Sequence, residues 1–108
     1  MPRALGEFEQ LLLFAVLRLG DQAYGGSIRQ IIHDRTGRTV SPGAIYTALD
    51  RLERRGMVGS KLGDPTPERG GKRKRFYHLR PAGAAALRDV QTVMAQMARG
   101  LKPRLEEA

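Results

Sequence analysis

Cysteine is absent from the chain. That excludes a disulfide scaffold, a cysteine-ligated zinc or iron–sulfur site and a thiol nucleophile, and it fits a reducing compartment. Tryptophan is absent too, and with three Phe and three Tyr the core must be built mainly from Leu, Ala, Val and Ile. The hydrophobic fraction of 41% is enough for one core, and 108 residues are enough for one domain. Histidine occurs only as His33 and His78, and there is no His-Glu-x-x-His spacing, glycine-rich phosphate loop or Gly-x-Ser-x-Gly elbow. The paired carboxylates Glu106 and Glu107 lie in the tail. No catalytic residue, metal ligand or cofactor is therefore expected. Long apolar runs are missing as well. Leu11 to Leu17 is the longest, far short of the ~20 residues of a bilayer span. Glu7 and Glu9 stand where a signal peptide would carry only positive charge. The expectation is a soluble cytoplasmic protein with no membrane partner. Acid is scarce: 11 Asp plus Glu against 19 Lys plus Arg give a net charge of +8, which favours an anionic partner such as nucleic acid.

What is present is organised by glycine. Gly20, Gly37, Gly56 and Gly100 each follow a stretch of helical periodicity, where a residue that tolerates positive φ closes a helix. Four helices are implied, at about Leu5–Leu19, Gly25–Thr36, Pro42–Arg55 and Ala82–Arg99. The first is too apolar for a single stripe, which suggests burial on more than one face. The second turns Ile28, Ile31 and Ile32 inward. The third has the clearest start, with Ser41 as N-cap and Pro42 in the first turn. Its periodicity sets Ile45, Ala48, Leu49 and Leu52 on one side, with Gly43, Tyr46, Thr47, Asp50, Arg51 and Arg54 largely on the other. Met57–Leu62 and Arg75–Leu79 read as two strands joined by a long loop, Gly63–Lys74. In the last helix Leu87, Val90, Met94, Met97 and Leu101 recur at heptad spacing, a candidate seam for another helix or else core within the chain. Met94 and Met97 are also adaptable enough to line a ligand cavity, although ordinary packing is the simpler reading.

Three helices followed by a ribbon with a basic tip is the order of a winged helix-turn-helix, whose third helix enters the DNA major groove while the wing reaches the backbone. The fold class expected is mainly α with a small two-stranded β-wing. Residues 1–80 form the DNA-binding unit and residues 81–108 a C-terminal dimerisation helix and tail. Candidate contacts to double-stranded DNA are Ser41, Pro42, Gly43, Ala44, Tyr46, Thr47 and Arg51 on the third helix, and Lys72, Arg73, Lys74, Arg75 and Tyr77 on the wing. Each has a plainer alternative. Tyr46 can pack beside Ile45 and Leu49, Thr47 can be ordinary surface, and the Lys72–Arg75 run can be a solvated charge cluster. A basic winged-helix module that binds RNA or protein without operator specificity is the competing function. A protein-interaction surface would usually be apolar, whereas Gly43, Thr47 and Arg51 leave room for base edges.

The residues also resemble the PadR-like transcriptional regulators. The resemblance runs over roughly residues 5–87, through Tyr24-Gly25, the run Ser41-Pro42-Gly43-Ala44-Ile45-Tyr46, Arg51-Leu52-Glu53, Gly56-Met57-Val58, Lys74 to Leu79 and Pro81-Ala82-Gly83. It implies a dimeric DNA-binding repressor of the type with a single C-terminal helix, acting on an inverted-repeat operator. In such a dimer the last helix joins the first, so that Leu12, Val16, Leu87, Val90, Met94, Met97 and Leu101 become candidate interface residues. A small-molecule effector of unspecified chemistry is compatible with the resemblance. Two positions depart from the family pattern: Arg80 stands where Thr usually caps the last helix, and Asp50 where a basic residue is common.

Overall fold

A computed structural model describes residues 5–65 and 73–108. In order it contains α1 (Glu7–Leu19), a 3-10 turn (Gly20–Gln22), α2 (Gly25–Thr36), α3 (Pro42–Arg54), β1 (Val58–Pro65), β2 (Arg73–Leu79), α4 (Pro81–Ala98) and α5 (Lys102–Glu107). Local chemistry explains most of the boundaries. The Gly6 N–H donates to Glu9 Oε1 at 2.8 Å to open α1, and the Tyr24 N–H donates to Ser27 Oγ at 3.0 Å to open α2. The Ala44 N–H donates to Ser41 Oγ at 3.2 Å, with Pro42 in the first turn, as the sequence predicts for α3. Arg80 gives α4 no side-chain cap. Gly20, Gly37, Gly56 and Gly100 all have positive φ.

The core lies between the helices and the root of the sheet. Leu12, Leu13 and Val16 of α1 meet Ile28 and Ile32 of α2, Ile45, Leu49 and Leu52 of α3, Val58 of β1, Tyr77 of β2 and Leu87 of α4. Most of the apolar surface of α1 finds partners within the chain, since α1 packs against α2, α3, β2 and α4, while Leu17 stays exposed. A salt bridge from Arg55 Nη1 to Glu9 Oε2, 3.1 Å long and largely screened from solvent, fastens the end of α3 to α1.

Strands β1 and β2 are antiparallel, pairing Val58 with Leu79, Ser60 with Tyr77 and Leu62 with Arg75, with an irregularity before Pro65 pairs with Arg73. Both strands run further into the Gly63–Lys74 segment than the loop expected there, because backbone pairing carries positions whose Pro and Gly content reads as turn. The other edge of β2 is covered by the segment before α2: the Tyr77 N–H donates to the Ala23 carbonyl at 2.7 Å, and Tyr24 bridges Phe76.

The C-terminal region differs from a single continuous helix. Helix α4 stops at Ala98, Gly100 turns the chain, and Pro103 sits in the first turn of α5. Leu101 therefore lies beyond α4, in the junction, and does not extend the α4 heptad. The N-terminal half of α4 is seated on the core through Gly83 and Leu87, whereas every residue from Gln91 to Ala108 is exposed. Among the described residues, no helix is long and apolar enough to cross a membrane, and no group of three or more His, Asp or Glu could hold a metal ion.

Candidate nucleic-acid interface

Helix α3 presents what its periodicity predicts. Ile45, Ala48, Leu49 and Leu52 are buried, while Ser41, Pro42, Gly43, Ala44, Tyr46, Thr47, Asp50, Arg51 and Arg54 are exposed. Tyr46, 51% exposed, does not lie on the core beside Ile45. Its hydroxyl end leans across to α2 and occupies the place where a side chain at position 25 would stand, so Gly25 is required by close approach. Asp50 is paired one turn along with Arg54, Oδ2 to Nη2 at 3.0 Å.

Arg73, Lys74 and Arg75 are exposed along β2, and Lys72 lies outside the described residues. The Lys74 ammonium sits 4.2 Å above the centre of the Tyr24 ring, and that ring meets Phe76 edge-on at 5.6 Å between centroids. Arg75 Nη1 donates to Ser60 Oγ at 3.1 Å, and Ser60 Oγ donates to Glu53 Oε2 at 2.8 Å, so a two-bond relay ties the wing to α3. Sequence reading does not find this relay, since Glu53 and Ser60 belong to different elements and carry no local signal of their pairing.

Tyr77 departs from its expected role. It is buried at the wing root, with 6% of its surface exposed, and offers little surface to DNA. Burial holds its phenol above the usual tyrosine range, with the nearby carboxylates of Glu53 and Asp50 adding to the effect and Arg75 opposing it. Its contribution is to seat β2 on the core.

Tyr24, Gly25, Gly26, Tyr46, Lys74 and Arg75 enclose a groove of about 1010 Å³ between the start of α2, α3 and the wing. The N-terminal turn of α2 opens there beside Arg73, Lys74 and Arg75, three cations against the single acid Asp34 in the lining, which makes the groove suited to an anion. The Tyr24-Gly25 pair in the sequence was the available signal for this part of the site.

Three helices with the third presented, followed by a two-stranded wing with a cationic edge, define a winged helix-turn-helix protein. Residues 13–89 match the transcriptional regulator PadR-like family, and the chain belongs to that family. It is 33% identical over 79 residues to transcriptional regulator Rv3488 of Mycobacterium tuberculosis, covering 73% of this chain and 69% of that protein. Its fold is similar to that of a PadR family transcription regulator from Clostridium difficile R20291, with a TM-score of 0.70 at 21% identity, covering 91% of this chain and 98% of the other. It is also similar to Bacillus subtilis PadR, solved in complex with operator DNA, with a TM-score of 0.67 at 20% identity, covering 78% of this chain and 47% of the other.

Proposed function

We propose that this transcriptional regulator is a cytoplasmic repressor that binds an inverted-repeat operator in double-stranded DNA as a homodimer. Residues 1–80 serve as the DNA-binding unit and residues 81–108 as the dimerisation helix and tail. The observation that carries the DNA reading is the shared outward position of the polar face of α3 and the cationic edge of β2, on either side of one anion-suited groove. With α3 in the major groove, Thr47 and Arg51 address base edges while Tyr46, Arg73 and Lys74 address phosphates. The fold likeness to Bacillus subtilis PadR, a protein solved with operator DNA, supports this use. Glycine, threonine and charge on the presented face are unlike an apolar protein-docking surface, which sets the competing interaction-module reading behind this one.

Dimerisation is supported by the distal part of α4. Val93, Met94 and Met97 are 51%, 63% and 75% exposed, and Leu17 of α1 is 58% exposed. Covering such side chains is worth roughly 1.5–3 kcal/mol each, and a helix end that buries nothing is marginal on its own. The interface set is corrected by burial. Leu12, Val16 and Leu87 are already enclosed in their own chain's core and have no surface to offer. Val90 is partly buried, Leu17, Val93, Met94 and Met97 carry free apolar area on α1 and α4, and Leu101 and Leu105 add to it beyond the end of α4.

The test is fluorescence anisotropy with the region upstream of the protein's own gene, a shuffled duplex and an RNA of the same length, alongside sedimentation. A dimer at micromolar concentration that prefers the upstream duplex is expected, and Met94→Glu with Met97→Glu should yield a folded monomer that binds it poorly. Equal affinity for all three nucleic acids, or a monomeric wild type whose binding the substitutions leave unchanged, would refute the reading.

A further inference from the structure

On the exposed face of α3 one residue carries the wrong charge for a polyanion. At ~100° per residue, Gly43, Thr47, Asp50 and Arg54 fall within an arc of about 60°. That arc stands opposite the buried positions Ile45, Ala48, Leu49 and Leu52. Asp50 is therefore on the line of α3 that projects furthest from the core, with its side chain 56% exposed. The neighbouring acid on the same helix, Glu53, is turned aside to accept from Ser60 at the wing root, so Asp50 alone keeps its carboxylate on the presented line.

Resting on the reading of α3 as the element that enters the major groove, we propose that Asp50 is a specificity-determining residue that selects cytosine and lowers affinity for non-operator DNA. A carboxylate can only accept hydrogen bonds. Cytosine presents its N4 amine as a donor in the major groove, whereas guanine presents only acceptors there and adenine sets its N6 donor beside the N7 acceptor, which repels a carboxylate. The salt bridge from Arg54 engages Oδ2, while the carboxylate's other oxygen retains acceptor capacity. Gly43, Ala44 and Thr47, all small and exposed on the two preceding turns, let the helix backbone come close enough for a short side chain to touch a base edge. At non-operator sites that set a phosphate or a base acceptor opposite it, the same carboxylate has no donor in place to offset its desolvation. It then repels, and this separates operator from background in a chain whose net charge of +8 would otherwise bind any duplex.

The experiment is selection from a randomised duplex library with the full chain as wild type, Asp50→Ala and Asp50→Asn, followed by anisotropy on a random duplex over a range of salt. Wild type should enrich sites with cytosine at one position in each half-site. Asp50→Ala should lose that preference, with discrimination there falling roughly 5- to 150-fold, and should bind the random duplex more tightly than wild type. Asp50→Asn, isosteric and able to keep a hydrogen bond from Arg54, should move the preference toward adenine, whose N6 and N7 an amide matches. The same enriched sequence from all three proteins, with unchanged affinity for the random duplex, would reduce Asp50 and Arg54 to a surface ion pair and overturn the inference alone. A wild type that enriches no sequence would overturn the operator reading, and this inference with it.

Discussion

Two glycines that look alike in sequence should respond to alanine in opposite directions. At Gly83, in the first turn of α4, an added Cβ would stand 2.2 Å from the Met57 carbonyl oxygen and 2.9 Å from Leu79 Cδ1. Carbon and carbonyl oxygen come no nearer than about 3.3 Å even in weak hydrogen-bonded contacts, so α4 must retreat by about 1 Å. The carbonyl is held in place, because it accepts the Arg80 N–H at 2.9 Å, and the retreat loosens Leu87 in the core. Overpacking costs about 1–3 kcal/mol, and a position gripped by backbone belongs at the upper end. Alanine's better helix propensity returns about 1 kcal/mol, leaving a net loss of about 2 kcal/mol. For a domain of this size that lowers the melting temperature by roughly 8–16 °C. At Gly43 of α3 an added Cβ meets nothing within 4 Å. Gly43→Ala should gain about 0.5 kcal/mol in stability, yet weaken operator binding, because the methyl group projects from the face presented to the groove. Thermal melts followed by circular dichroism at one fixed protein concentration, with anisotropy on operator DNA, read both effects. A Gly83→Ala melt within roughly 2 °C of wild type would refute the packing argument, and a Gly43→Ala protein with full operator affinity would refute the placement of α3.

The wing, the α1–α3 clasp and the buried phenol each carry a further test. Replacing Arg73 and Lys74 by Ala should weaken binding to all duplexes alike and reduce the slope of log affinity against log salt by about one to two; an unchanged slope would mean the wing touches no phosphate. Arg55→Met removes the cation that Glu9 meets on the α3 side and should cost about 1–3 kcal/mol in urea unfolding, whereas an unchanged midpoint would make the clasp incidental. Tyr77 is held neutral by burial, its pKa raised above 10.0. The unfolded chain therefore loses that proton at lower pH than the folded one, and the stability this contributes is complete below pH 10.0 and lost as pH rises through the folded value. Tyr77→Phe should accordingly unfold less steeply at alkaline pH than wild type, and parallel urea midpoints for the two proteins across that range would contradict the burial argument.

Most of the fold was legible because its signals are local. Ser41-Pro42 opens α3 and Gly37 closes α2 whatever surrounds them, and the presented face of α3 follows from periodicity alone. Long-range choices were less visible. Apolar excess in α1 shows that Leu12 and Val16 must be covered, but not whether by α4 of the same chain or of another. Phe76 and Tyr77 both look like wing aromatics until strand register turns Tyr77 into the core and Phe76 toward Tyr24. Gly100 and Pro103 read as the end of helical structure, yet proline is at home in a first turn, and α5 begins there.

Charge shows the same division between what composition fixes and what the fold assigns. The net +8 follows from counting, but the function depends on where the few acids go. Glu9 meets Arg55, Glu7 meets Arg38 in the connection between α2 and α3, and Glu53 is occupied by Ser60 at the wing root. The Arg38 guanidinium hydrogen-bonds Glu7 and holds its carboxyl below the usual range. Among the described residues no acid is paired with Arg51 on α3 or with Arg73 and Lys74 beside the groove. Glu7 and Glu9 thus pair with arginines away from the wing, and Arg51, Arg73 and Lys74 are left to face an anion. Asp50 is the exception, the one carboxylate on the projecting line of α3, and it gives that side a base-dependent term where a uniformly basic face would attract every duplex alike.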